Sequence, residues 1–149
     1  MKEFRHRITL RVRNYQVDWQ GIVHNAVYLE YFETGRIEYL RKIGHILHLA
    51  SINRSSRVVL ARNELDYVSP AKFDDLLEVG TKVSQVGTSS FVFEGIIRIR
   101  STDTLIAKNR AVHVWLHPEK GYPVPVPARF IRRVEEYERR KIPRKLRDL

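Results

Sequence analysis

The sequence predicts an α+β fold in which a curved antiparallel sheet of five strands wraps around one long central helix, with a second helix near the C-terminus. Three observations predict it. One strand-like segment precedes a long helical stretch, four more strand-like segments follow, and a short helical pattern comes last. The breaks between the last three strands are only a few residues long, which suits antiparallel neighbours. The long helix is apolar around much of its girth, which calls for burial on more than one side.

Taken in order, "FRHRITLRVR" at 4–13 alternates Phe4, Ile8, Leu10 and Val12 with arginines, the period-two pattern of a half-buried strand. Residues 14–25 form a loop. Over 26–43, Tyr28, Tyr31, Phe32, Tyr39, Leu40 and Ile43 recur at helical spacing, Arg41 and Lys42 suit the last turn, and Gly44 suits the stop. Residues 45–57 read as a loose connection. Four strands then follow at 57–68, 76–87, 89–100 and 104–116, with breaks at 70–75, 87–89 and 101–103. "HPEKGYPVPVP" is a turn and an extended proline segment. In "ARFIRRVEEYERR", Phe130, Ile131, Val134 and Tyr137 make one apolar stripe of a helix that Pro127 starts. No internal repeat is visible. The expected organisation is one domain over 1–141 and a basic tail over 142–149.

A chain of 149 residues can bury a core without staples. It has no cysteine, which removes disulfides, thiolate metal sites and a cysteine nucleophile together. No apolar run approaches the roughly 20 residues of a membrane span. The N-terminus lacks the apolar middle of a signal peptide, so a cytoplasmic location is expected. The net charge is +10, and residues 129–149 supply half of it with nine Lys or Arg against four acids. Such an excess favours anionic partners: nucleic acid, phosphorylated cofactors or acidic carrier proteins.

The stretch "YQVDWQGIVHNAVYLEYFETGR" at 15–36 sets a lone carboxylate, Asp18, and Gly21 before the aromatic helix. Its run D-x-x-G-I-V-H-N-x-x-Y-L-x-Y-F-E, with the later "ELDYVSPAKFDDLLEV", resembles the hotdog-fold acyl-CoA thioesterases of the 4-hydroxybenzoyl-CoA thioesterase type. The similarity covers about residues 5–135. It implies that the acid matching Asp18 attacks a thioester or activates water. It further implies that backbone amides near Asn25 and Ala26 hold the oxyanion. The substrate would be a thioester of coenzyme A or of acyl carrier protein, with coenzyme A present only as part of the substrate and no separate cofactor. The site would lie between subunits of a homodimer or homotetramer. Two departures from the family stand out: many relatives carry His where Asn25 stands, and smaller or aliphatic residues where Trp19 and Gln20 stand.

The chemistry is self-consistent. A thiolate leaving group with a pKa near about 8.5, by analogy with cysteine, departs without a strong general acid, so one carboxylate can be enough. A helix N-terminus offers free N–H groups and the positive end of a dipole to a developing oxyanion. Gly21 would let the loop bend close to substrate.

Each residue also has a plainer reading. Asp18 could be a turn carboxylate bonded to nearby amides. Asn25 could be an N-cap, with or without a substrate role. His24 could orient the carboxylate or simply face solvent. Tyr28 could be core, or its hydroxyl could reach a thioester. Glu33 reads as an ion-pair partner of Arg36. Ser89 and Ser90 could approach a neighbouring subunit's site. Arg98, Arg100, Lys108 and Arg110 alternate on one strand face and could hold phosphate or merely be solvated. His45 and His48 lack a third ligand, and His113 and His117 lie some 13 Å apart at about 3.3 Å per residue, so no metal site is expected. The competing function is a non-catalytic binding module with its basic tail on nucleic acid. No stacking aromatics or recognised motif support it, so nucleic acid is an unlikely partner.

Overall fold

The structure is a computed structural model that describes residues 1–45 and 57–145. Strand β1 spans His6–Arg11 and leads through a short 3-10 turn at Asn14–Gln16 to helix α1, Val27–Lys42. Strands β2, Arg57–Tyr67, β3, Leu76–Val86, β4, Ser90–Ile99, and β5, Leu105–Leu116, follow in sequence, and helix α2 spans Ala128–Glu138. The expected connection at 45–57 lies, for 46–56, outside the described residues, as do His48 and the last four residues of the basic tail.

The five strands pair in the order β1-β3-β4-β5-β2, every neighbour antiparallel. The last three strands form a meander, as their short breaks imply. Central strands β3 and β4 are buried over most of their length, while edge strand β2 is largely exposed. Edge β2 carries charges at Arg57, Arg62, Glu64 and Asp66, which discourage a further strand from adding on. Register shifts at Leu60/Arg62, Val83/Gln85 and Ile97/Arg98 interrupt three of the four ladders. Each extra residue bends its strand and adds twist, which is how the sheet curves toward the helix.

Helix α1 buries Tyr28, Tyr31, Phe32, Gly35, Arg36 and Tyr39, a single stripe. Its opposite side leaves Leu29 39% and Ile37 36% exposed. Burial on several sides, expected from the sequence, is therefore burial on one side within a single chain, and the sheet cups the helix. The two surfaces meet closely because small residues stand at the contact. A Cβ at Gly35 would lie 2.6 Å from Thr81 Oγ1, and one at Gly95 would lie 2.6 Å from Phe32 Cδ1.

The core divides along the helix. Val12, Tyr31, Phe32, Leu77, Ile97 and Ile106 pack near its start. Tyr39, Phe91, Phe93, Trp115, Phe130 and Val134 pack near its end, where α2 closes the sheet. The buried Tyr39 hydroxyl donates to Glu138 Oε1 at 2.8 Å, and the Val83 N–H reaches the same oxygen at 3.3 Å, so one carboxylate ties α1, α2 and β3 together. Pro127 is the N-cap of α2, one position earlier than the first-turn site its sequence suggests, and Arg139 ends the helix with φ 54°. Packing continues past this helix. Ile142 is 3% exposed, and Arg144 forms a parallel bridge with Val86. Among the described residues no helix is long and apolar enough to cross a membrane.

Candidate active site

The loop before α1 is a tight turn held at both ends. The Asp18 N–H donates to the Ile22 carbonyl at 2.8 Å, and the Gly21 N–H donates back to the Asp18 carbonyl at 3.0 Å. Gly21 sits at φ +78°, a conformation that side chains disfavour, yet a Cβ there would meet nothing within 4 Å. The glycine is needed for backbone shape, and space for a neighbour plays no part. Asp18 Oδ1 accepts the Gln20 N–H at 2.8 Å, the turn geometry of the plainer reading. Among the described residues the other carboxylate oxygen accepts no hydrogen bond, so turn chemistry occupies half of the group and leaves half open.

Three long-range contacts fix the loop. Gln16 accepts the Arg13 N–H at 2.8 Å and the Tyr31 hydroxyl at 2.7 Å on its side-chain oxygen, and its carbonyl accepts the His24 N–H at 2.9 Å. The Val23 N–H donates to the Ala71 carbonyl at 2.8 Å. The Tyr67 hydroxyl donates to the Asn25 carbonyl at 2.9 Å. The loop is thereby bound to α1 and to the segment between β2 and β3.

At the helix start the structure departs from the sequence reading. The N-cap is Ala26, without a side-chain cap, so Asn25 does not cap α1. The Ala26 N–H, expected to face an oxyanion, donates to His24 Nδ1 at 3.2 Å. An accepting Nδ1 places the proton of a neutral His24 ring on Nε2. The Val27 N–H turns back to the His24 carbonyl at 2.9 Å. No described residue accepts a hydrogen bond from the N–H of Asn25 or Tyr28, so these are the amides left open at the positive end of the helix dipole.

Asp18, His24, Asn25 and Tyr28 line one cleft of about 500 Å³ together with Gln20, Ile22, Tyr67 and Ser69. Tyr28 is buried, and its oxygen accepts the Ala71 N–H at 3.2 Å. Burial, foremost, and then the nearby Tyr67, Asp75 and Asp18 push its pKa up against the opposing Ala71 amide, so the phenol keeps its proton. Ser89 and Ser90 do not line this cleft. They border a separate depression with Ala61, Arg62 and Pro123 at the far end of the meander. Glu33 makes no ion pair with Arg36, whose partner is Asn109 Oδ1 at 3.1 Å. Arg98 and Arg110 already face Asp103 and Glu64 at 3.7 and 3.9 Å.

Gln16 and Tyr67 are site residues that the sequence reading missed. Tyr67 stands inside the "ELDYVSP" motif, which is the signal that could have found it. Gln16 carries none, because its partners Arg13, His24 and Tyr31 come together only once the loop has folded.

A profile of the Thioesterase superfamily matches residues 20–106, more than half of the chain, beginning two residues after Asp18. Among known relatives, the chloroplastic acyl-acyl carrier protein thioesterase ATL3 of Arabidopsis thaliana is 33% identical over 130 residues, covering 86% of this chain and 66% of that protein. The chain thus spans slightly under two thirds of that relative's length. The acyl-CoA thioester hydrolase YbgC of Escherichia coli is 28% identical over 125 residues, covering 84% of this chain and 92% of that one. Among solved structures, a Thermus thermophilus thioesterase, complexed with coenzyme A and zinc, is 32% identical with a TM-score of 0.83, covering 95% of this chain and all of that one.

Proposed function

The chain belongs to the thioesterase superfamily, and from that premise we propose that it hydrolyses an acyl thioester of coenzyme A or acyl carrier protein to a free acid and a thiol. The observation that carries the proposal is the cleft itself. Asp18, which has one carboxylate oxygen free of described partners, and Asn25 and Tyr28, whose N–H groups have no described acceptor, all line one cavity of about 500 Å³. In this reading Asp18 either attacks the acyl carbon, expelling the thiolate and leaving a mixed anhydride for water to open, or takes a proton from the water that attacks. Both routes put negative charge on the former carbonyl oxygen. The N–H groups of Asn25 and Tyr28, with the dipole of α1 behind them, receive it. Ala26 leaves the role assigned to it by resemblance, because His24 already occupies its amide. His24 then holds the helix start in shape, and the Tyr28 hydroxyl keeps a proton to offer the bound acyl group.

Acyl carriers of both kinds are anionic, which the chain's net charge of +10 suits. The exposed apolar side of α1, with Leu29 and Ile37, supports assembly into a homodimer or homotetramer, in which Ser89 and Ser90 of one subunit would approach the cleft of another. The test is thiol release from a panel of short, long and aromatic acyl-CoAs and acyl carrier proteins. Turnover on at least one substrate is expected, and none on any of them overturns the proposal. A single turnover in ¹⁸O-water distinguishes nucleophilic attack, in which water opens the anhydride at the Asp18 carbon, from general-base hydrolysis. The first leaves ¹⁸O in Asp18 and an unlabelled Asp18 oxygen in the product acid; the second puts the ¹⁸O in the product acid.

A further inference from the structure

Tyr67 is the last residue of β2, and its partner across the ladder is the fully buried Ala107 of β5. Strand residues two apart share a face, so Tyr67 follows Leu65, which packs into the core beside the start of α1. The Tyr67 ring therefore stands by the helix start, where it meets the Tyr28 ring edge-on with centroids 5.5 Å apart. It is nonetheless 55% exposed, so burial of apolar surface is a weak reason for its place. Its hydroxyl makes the specific contact, donating to the Asn25 carbonyl at 2.9 Å.

The same peptide unit is held at its other end. It joins Asn25 to Ala26, and its N–H donates to His24 Nδ1 at 3.2 Å. Among the described residues the Asn25 carbonyl accepts only from Tyr67. The Leu29 N–H, four residues on, bonds to the Ala26 carbonyl at 3.2 Å instead. Two side chains thus fix both polar atoms of one peptide plane, and helix hydrogen bonding fixes neither. The neighbouring carbonyls are tied to backbone: His24 accepts the Val27 N–H at 2.9 Å, and Ala26 accepts Leu29. The open N–H groups of Asn25 and Tyr28 stand on either side of this plane. A peptide unit is rigid, so holding it at both ends restricts the dihedral angles of Asn25 and Ala26. The direction of the Asn25 N–H is restricted with them. Water can satisfy an exposed carbonyl, but only a tethered donor holds it in one orientation.

We propose that Tyr67 is a positioning residue of the hydrolytic site: with His24 it pins the Asn25–Ala26 peptide, so that the Asn25 N–H is already aimed when negative charge forms on the acyl oxygen. Donors set in advance need no rearrangement as the charge develops, and small misplacements of such groups are costly in rate. The kinetic consequence rests on the thioesterase reading, whereas the pinning of the peptide does not.

Tyr67→Phe keeps the ring against Tyr28 and removes only the hydroxyl. In the full-length protein without substrate, exchange of the Ala26 amide proton with solvent is followed by NMR at fixed pH. It should quicken about tenfold in Tyr67→Phe with the urea midpoint unchanged, because releasing one end of the plane loosens the other. Exchange at the unmodified rate overturns the proposal. His24→Asn, whose side-chain oxygen can stand in for Nδ1, should keep Ala26 slow, and His24→Ala should match Tyr67→Phe. Equal exchange in the two His24 variants removes the second pin and overturns the proposal as well. On the acyl thioester turned over best, Tyr67→Phe should lower kcat about tenfold and leave KM within about twofold, since the oxyanion forms only on the way to products. A kcat within about twofold of the unmodified value overturns the proposal, whatever happens to KM. A protein that hydrolyses no thioester defeats the thioesterase reading instead, and the exchange rates alone then decide the role of Tyr67.

Discussion

At the scale of single residues, Asp18 divides its carboxylate between structure and chemistry. One oxygen holds the Gln20 N–H, and the turn needs only that oxygen. Asp18→Asn keeps an acceptor in place and removes the charge, so it should leave the fold unchanged while turnover falls by about 100-fold or more. Gln16 divides its work differently. Its side chain accepts from both the Arg13 backbone and the Tyr31 hydroxyl. Gln16→Ala should therefore cost about 1–3 kcal/mol, read as a lower urea midpoint, because it strands the buried Tyr31 hydroxyl, while the exposed Arg13 N–H can turn to water. Turnover should drop with it, since the loop that presents Asp18 loosens.

These two residues also mark how much of the site was legible in the sequence. Asp18, His24, Asn25 and Tyr28 stand within one short run, so local spacing alone gathers them at a helix start, and they do share the cleft. Tyr67 reaches the Asn25 carbonyl from 42 residues away, a contact that spacing does not encode. Which amides stay open was also hidden. That depends on the His24 ring turning back onto Ala26, a rotamer and not a pattern.

Among the elements, α1 decides the most. Gly35 is helical and buried, and in an open helix an alanine there would gain about 1 kcal/mol. Here the new methyl would lie 2.6 Å from the hydroxyl of Thr81, a β-branched side chain only 1% exposed. Overpacking wins, and Gly35→Ala should destabilise by about 1–3 kcal/mol in denaturant unfolding. An unchanged or raised midpoint would mean that α1 and β3 can separate at little cost. Strands and helices were legible because alternation and helical spacing are local signals. The curvature was not: the bulges in the β2–β5, β3–β4 and β4–β5 ladders are mismatches between partner strands, and neither strand announces one alone. Ile142 was also hidden, one apolar residue in a basic stretch that nonetheless completes the core beside Phe130 and Val134. Truncation after Glu138 would therefore unsettle the domain as well as remove basic charge.

For the whole molecule, burial of neutral histidines links stability to pH. His6, His45 and His113 are all held below the ordinary histidine value, chiefly by burial, with His113 at about 4. The unfolded chain takes up protons near pH 6.5 while the folded chain resists, so stability is full above that value and declines as pH falls toward 4. His113 alone should account for roughly 1.5 kcal/mol between pH 6.5 and 5. Urea midpoints across that window should fall in the unmodified protein and fall less in His113→Gln. Assembly belongs to this scale too. A cleft open on one side and a helix exposed on the other both look outward, toward the surfaces a second subunit would cover.

The most direct measurement is acyl-CoA and acyl carrier protein hydrolysis by the unmodified protein and by Asp18→Asn side by side, with circular dichroism and oligomeric state compared for both. The expected result is thiol release that collapses by about 100-fold or more in the variant, with its fold and assembly intact. Equal turnover in the two proteins would contradict it, reducing Asp18 to a turn residue and moving the chemistry elsewhere.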